Sequence, residues 1–220
     1  MRLSRKSRIV LIAALVVAAG AAGYQVYLAI LHRAGYLNFG VVVPGKIYRS
    51  RQIGSGDLTD LANKYGIKTI VCLRGKENPD VKTAARKLGI KVVGVQMTAS
   101  RPPEPKQMEL IMSVLSGSTI KPADYSSVLK DQVGIDQPEM KIPGPFLIHC
   151  MQGADRTGYI VAVWRICFEG WSQDRARFEM LRYYHLPLRF PLLWKELKNI
   201  EPEKYCPSIN PGYKPPANKP

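Results

Sequence analysis

The residues best equipped for chemistry lie in "FLIHCMQGADRTGYIVAVW", residues 146–164. A thiol, Cys150, closes an apolar run, and Arg156 follows six residues later. Gly153 and Gly158 give the backbone freedom or close approach around the arginine. An apolar run, a glycine-bearing loop and then a helical pattern predict a strand–loop–helix, which is an anion cradle. Backbone N–H groups turn inward there, and the helix N-terminus adds its partial positive charge. Met151, Gln152, Gly153, Ala154, Asp155 and Arg156 would form the phosphate-binding ring, with Arg156 as a planar fork for two oxygens. At the base of such a concavity a thiol pKa drops from about 8.5 to ~3.5–7.5. The thiolate could then attack phosphorus in line while the loop holds the equatorial oxygens. Thr157 is placed to hydrogen-bond the sulfur and help it leave. His149 would orient the loop and tune the thiolate, or be a satisfied half-buried histidine.

Strands alternating with helices must carry this loop. "VVVPGKIYRS" reads as a strand or hairpin, and "SGDLTDLANKYG" as a short helix capped by Ser55 and ended by Gly66. "IKTIVCLR" is a buried strand, "PDVKTAARKLG" a second helix, "IKVVGVQM" another strand, and "KQMELIMSVL" an amphipathic helix. Residues 117–143 break this rhythm and read as an insertion, mostly surface loop. Helices are expected over 157–168, 173–184 and about 192–199. The predicted class is α/β, a central, mostly parallel sheet flanked by helices. The domain would span residues 32–200. Residues 201–220 hold six prolines and read as an extended tail.

The chain resembles the cysteine-dependent protein phosphatase superfamily, and within it the compact dual-specificity type and bacterial atypical tyrosine phosphatases. His149, Cys150, Gly153, Arg156, Thr157 and Gly158 carry the resemblance, together with "IYRSRQI", "LANKYGIKTIVCLRG" and "FEGWSQDRARFEML". It extends over roughly residues 40–190 without the insertion. It implies Cys150 as nucleophile, Arg156 as phosphate-binding arginine, Thr157 as helper of thiolate departure, a cysteinyl-phosphate intermediate, and no metal or other cofactor. The expected substrate is a phosphomonoester on protein or lipid. The loop lacks the lysines with which phosphoinositide-directed relatives meet extra phosphates.

Family members usually bring a general-acid aspartate from an earlier loop, yet "QMTASRPPEP" has none. Glu104 is its one carboxylate, and a first-turn helix residue favoured by the dipole is the other reading of it. Asp155 lies inside the cradle, and "GxDRTG" resembles loops in which an aspartate protonates the leaving oxygen; a loop-bracing salt bridge is the alternative. Asp124, Asp131 and Asp136 in the insertion are further candidates. Arg49 and Arg74 fall at strand ends near the site. Cys72 is a buried thiol or a disulfide partner of Cys150 on oxidation, and Trp164, Trp171 and Trp194 read as packing residues.

The balance of 32 basic to 17 acidic side chains, formally +15, attracts anions. No aromatic–basic recognition motif accompanies it, so no nucleic-acid partner is expected. Residues 1–8 form a basic flank, and residues 9–31 run 23 positions without a charge. That run would span roughly 34 Å and reads as a transmembrane anchor, or as a cleaved signal peptide. The positive-inside rule leaves the N-terminus cytoplasmic and the monomeric catalytic domain outside, in the periplasm of a bacterium. Cys72, Cys150, Cys167 and Cys206 show no zinc spacing, though one pair could bridge in an oxidising compartment. Two other functions stay open: a non-catalytic phosphate-binding module of this fold, and a sulfur- or arsenate-handling cysteine-loop enzyme.

Overall fold

The computed structural model describes residues 5–34 and 38–215. The chain divides into two units, Met1–Tyr36 and Leu37–Pro220. In the first, α1 (Arg5–Ala34) is a single helix of 30 residues. Among the described residues, no helix is long and apolar enough to cross a membrane. The side chains of residues 25–31 lie outside the described set. The expected transmembrane anchor at 9–31 thus falls partly outside the described set, and among the described residues it and the single-pass topology built on it find no support.

The second unit begins with the hairpin β1 (Gly40–Val43) and β2 (Ile47–Ser50). Next come α2 (Ser55–Tyr65), β3 (Thr69–Cys72), α3 (Pro79–Lys87), β4 (Lys91–Val95) and α4 (Pro105–Ser116). Ser55 stands inside the first turn of α2 and not at its cap; the Asp57 carboxylate accepts from the Gly54 amide at 2.8 Å. Gly66 closes the helix in the left-handed region, as its sequence position predicts.

Residues 117–143 are loop over about half their length, but they also carry regular structure. They contain β5 (Thr119–Ile120), a 3-10 turn (Pro122–Tyr125), β6 (Leu129–Val133) and β7 (Met140–Lys141). β5 pairs with β7, whereas β6 joins the main sheet beside β4. Its burial alternates, with Lys130 and Gln132 exposed between better-covered residues, as suits an edge strand covered on one face. That alternation is short and polar, which hid it in the sequence.

β8 (Phe146–His149) then leads into α5 (Asp155–Glu169), α6 (Gln173–Arg182) and α7 (Pro191–Asn199). The sheet order is β1-β2-β8-β3-β4-β6. β2, β8, β3 and β4 are mutually parallel, and β1 and β6 run antiparallel at the edges, so the sheet is mixed where a mostly parallel one was expected.

Both faces are covered, and the period-2 alternation of strands sorts the side chains. Ile70 and Leu147 point to a layer with Leu58 and Leu61 of α2 and Val81 and Ala85 of α3. Their neighbours Val71, Phe146 and Ile148 enter the larger core with α4, α5, α6 and α7. The proline-rich end is not wholly extended. α8 (Pro202–Tyr205) and a 3-10 turn (Cys206–Ser208) follow α7, and buried Cys206 is disulfide-bonded to Cys167 of α5. Residues 216–220 lie outside the described set.

Candidate active site

β8 runs between β2 and β3, with His149 opposite Ser50 on one side and Cys72 on the other. Cys150 therefore emerges at the carboxyl ends of parallel strands, where open α/β sheets place their ligands. It is 2% exposed, and five residues later α5 begins.

The loop's shape is set by what its carbonyls do. The Cys150 carbonyl meets His149 Nδ1 at 3.1 Å, Met151 O accepts from the Gln52 amide at 3.1 Å, and Gln152 O accepts from Asn38 Nδ2 at 2.9 Å. Gly153 O accepts from Arg49 Nη2 at 2.6 Å. With four successive carbonyls drawn to donors outside the ring, the amides are left to point inward. Gly153 permits this: its φ is +69, and a Cβ there would lie 2.5 Å from Ser50 O.

Electrostatics follow from that shape. Burial pushes the Cys150 thiol up, but the Thr157 hydroxyl and amide, the Arg156 charge and the Gln152 amide reverse this and hold it below its ordinary value. The Thr157 hydroxyl is buried and otherwise unpartnered, which leaves the sulfur as its acceptor. Arg156 Nη1 is anchored on Met97 O (3.2 Å) and Leu73 O (3.5 Å), at the ends of β4 and β3. Its Nε is buried without a partner.

His149 is fully buried and faces two acceptors, the Cys150 carbonyl and the Glu77 carboxylate. Both ring nitrogens must donate to satisfy them, which describes an imidazolium. Burial alone would push the ring down, but the hydrogen bonds to Cys72 and Glu77 and their charges hold it well above 6.5. Glu77 is itself held by Asp131, whose Oδ2 accepts from the Glu77 amide at 3.0 Å while Oδ1 meets Lys82.

Cys72, Glu77 and His149 have ligand atoms within 4.8 Å of one another and could hold a metal ion. Each already has a polar contact, since Cys72 Sγ donates to Lys76 O at 3.6 Å and the other two bond each other. A metal would have to displace the proton between Glu77 and His149.

The remaining candidates divide clearly. Asp155 opens α5, and its Oδ1 lies 2.8 Å from His185 Nδ1. Glu104 is exposed and caps α4, its amide bonded to Gln107 Oε1 at 2.8 Å. Asp131 braces Glu77, while Asp124 and Asp136 are exposed in the 117–143 segment. Arg74 hydrogen-bonds Gln52 Oε1, and Arg49 is a buried brace of the loop rather than surface charge. Trp164 stacks on Phe168 at 4.1 Å, Trp171 carries Arg175 and Trp194 carries Arg177, all packing roles.

Sequence reasoning missed Asn38, Gln52, Glu77, Tyr183 and His185. Of these, Glu77 alone left a trace there, as a charged side chain shortly after a run of strand residues.

A sheet whose central strand delivers an activated cysteine into an amide ring ahead of a helix defines a cysteine-dependent phosphatase. Residues 34–166 match the tyrosine phosphatase family, and the chain belongs to that family. The dual specificity protein phosphatase TpbA of Pseudomonas aeruginosa (strain UCBPP-PA14) is 46% identical over 39 residues. That match spans 18% of this chain and 18% of the curated relative. The crystal structure of P. aeruginosa TpbA superposes with a TM-score of 0.57 at 18% identity, covering 79% of this chain and 91% of that one. The core catalytic domain of the PP-IP phosphatase SIW14 from S. cerevisiae gives 0.56 at 23% identity, covering 76% and 87%. At these identities the structural likeness is one of fold.

Proposed function

We propose that the chain hydrolyses phosphomonoesters through a cysteinyl-phosphate, with phosphotyrosine on protein as the substrate that best fits an uncharged loop rim. Outward capture of the Cys150, Met151, Gln152 and Gly153 carbonyls is the observation that carries this reading, because it leaves the amides for phosphate oxygens. The Cys150 thiolate attacks phosphorus, forming S–P as the ester P–O bond breaks. Arg156, through its unpartnered Nε, and the loop amides hold the equatorial oxygens. Asp155 is the general acid: it protonates the departing oxygen and then takes a proton from the water that cleaves S–P, releasing inorganic phosphate. Thr157 stabilises the sulfur as it leaves.

Met151, Gln152 and Ala154 bring no cation to meet further phosphates, and the TpbA relative is known in complex with phosphotyrosine. The Cys167–Cys206 disulfide favours an oxidising, extracytoplasmic setting. The experiment is p-nitrophenyl phosphate turnover beside Cys150→Ser, with acid quench to trap phosphorylated enzyme. Turnover that is vanadate-sensitive, EDTA-resistant and lost in the variant supports the enzyme. Negligible rates in both proteins, with vanadate still bound, would instead favour the binding module.

A further inference from the structure

Tyr183, Tyr184 and His185 follow directly after α6. Tyr184 sits in the left-handed region (φ 66), which is strained for a bulky residue. Beyond that turn the His185 imidazole lies inside, with no exposed surface. Its Nδ1 meets Asp155 Oδ1 at 2.8 Å, its Nε2 is buried without a partner, and its ring stacks on Trp194 at 5.8 Å. Leaving a buried polar atom unsatisfied costs stability. Leucine would fill the space without that cost, so packing alone does not account for a histidine here.

The same segment is registered to the cradle at two other points. The Tyr183 ring carries the Arg49 guanidinium at 3.7 Å, and Arg49 in turn holds Gly153 O. The Tyr183 carbonyl accepts from Asn38 Nδ2 at 3.2 Å, and the same amide also bonds Gln152 O. Residues 183–185 are thus tied to the loop through Asn38 at Gln152, through Arg49 at Gly153, and directly at Asp155.

We propose that His185 is the positioning residue of the general acid, holding the Asp155 carboxylate in the orientation from which it reaches the leaving oxygen. The inference rests on the assignment of Asp155 made above. Nδ1 occupies Oδ1, and Oδ2 is the oxygen that exchanges the proton, first to the ester oxygen as P–O breaks and then from water as S–P is cleaved. His185 itself touches neither substrate nor sulfur. Trp194 fixes the plane of the ring from one side, and Arg177 lies over that indole at 4.2 Å.

The test uses the full chain as wild type, Asp155→Asn, His185→Leu and His185→Asn. Two esters are compared by kcat/KM: p-nitrophenyl phosphate, whose leaving group departs unprotonated, and phenyl phosphate, whose leaving group needs a proton. Alkylation of Cys150 by iodoacetamide reports whether the cradle is intact. His185→Leu is expected to reproduce the Asp155→Asn pattern. Phenyl phosphate should fall about 30- to 100-fold, part of the 10²–10⁴ that general acid help supplies, while p-nitrophenyl phosphate falls less than about threefold and alkylation is unchanged. His185→Asn, whose side-chain amide can stand near the Nδ1 position, should recover most of the loss.

Equal losses on both esters would make the residue a packing element and overturn the proposal. So would normal phenyl phosphate turnover in His185→Leu beside an impaired Asp155→Asn. If Asp155→Asn spares both esters, the acid assignment itself falls and the positioning role with it. Should His185→Leu fail to fold, His185→Gln, with its donor displaced from Nδ1, is judged by the same ratio of the two esters.

Discussion

Arg49 Nη2 lies 2.6 Å from the carbonyl oxygen of Gly153, and it reaches there from a side chain with no exposed surface. Burial lowers its pKa to about 10, with Tyr183 among the groups that oppose the shift. A guanidinium inside a sheet is costly unless engaged, so its engagement with the loop is what the position serves. Arg49→Met keeps the length and removes the donor, leaving Gly153 O unsatisfied. Kinetics with p-nitrophenyl phosphate should show roughly a 100-fold loss in kcat/KM, and urea unfolding a loss of about 1–3 kcal/mol. Arg49→Lys should not rescue the rate, because an ammonium lacks the planar fork that meets both the carbonyl and the ring of Tyr183. A wild-type rate in Arg49→Met would mean that the loop keeps its shape unaided.

The Glu77–His149 pair makes stability depend on pH in a definite direction. His149 holds its proton well above the ordinary 6.5 once folded. Its contribution is therefore complete below pH 6.5 and fades as pH rises through the higher folded value. Glu77→Gln leaves the buried imidazole without a counter-charge and should cost about 3–5 kcal/mol near neutral pH. The sloping loss above neutrality should also flatten. Urea midpoints measured from about pH 5.5 to 9 test this. Parallel profiles for the two proteins would remove the pair from the explanation.

Cys150 should react as a thiolate at pH values where a free thiol does not. Burial opposes ionisation, but Thr157, Arg156 and the Gln152 amide win, so the midpoint of iodoacetamide alkylation should lie below that of an ordinary thiol. Thr157→Val removes the hydroxyl and keeps the shape. It should raise that midpoint and slow S–P hydrolysis more than its formation, visible as accumulated phosphoenzyme. The depressed folded value also means that the thiolate adds stability above the ordinary thiol pKa, lost as pH falls through the folded value. An unmoved midpoint in Thr157→Val would assign the activation to the backbone and Arg156 alone.

The Cys167–Cys206 bridge closes a separation of 39 residues. Loop-closure entropy for that length corresponds to about 4 kcal/mol at 25 °C. Cys206→Ser is expected to lower stability by about 2–4 kcal/mol in urea unfolding, with turnover retained at temperatures where the variant stays folded. Dithiothreitol should shift the wild-type midpoint toward the variant and leave the variant unmoved. A midpoint insensitive to both would mean that α8 is held by packing alone.

Much of this protein was legible in the chain because the signals are local. An apolar run ending in Cys150, a glycine where the backbone must turn left-handed, and a helix pattern straight after it all lie within 20 positions, and they predict a cradle before any contact is known. The helix-then-glycine pattern at Tyr65 and Gly66 was readable for the same reason, since its two halves are neighbours. β6 was not readable, because a one-sided edge strand of five residues with exposed Lys130 and Gln132 carries too little apolar alternation to stand out from a loop.

Composition and order along the chain thus carried the α/β class and marked Cys150 and Arg156 as the candidate nucleophile and phosphate-binding arginine. Tertiary structure alone decided who holds the cradle in shape and which carboxylate is anchored beside it. Arg49 and Gly153 are 104 positions apart, Glu77 and His149 are 72, and Asp155 and His185 are 30. Hydrogen bonds across such separations leave no periodicity and no spacing rule. They exist only after the sheet has set its register and the helices have closed over it, since only then is a buried donor brought to the one acceptor that can satisfy it.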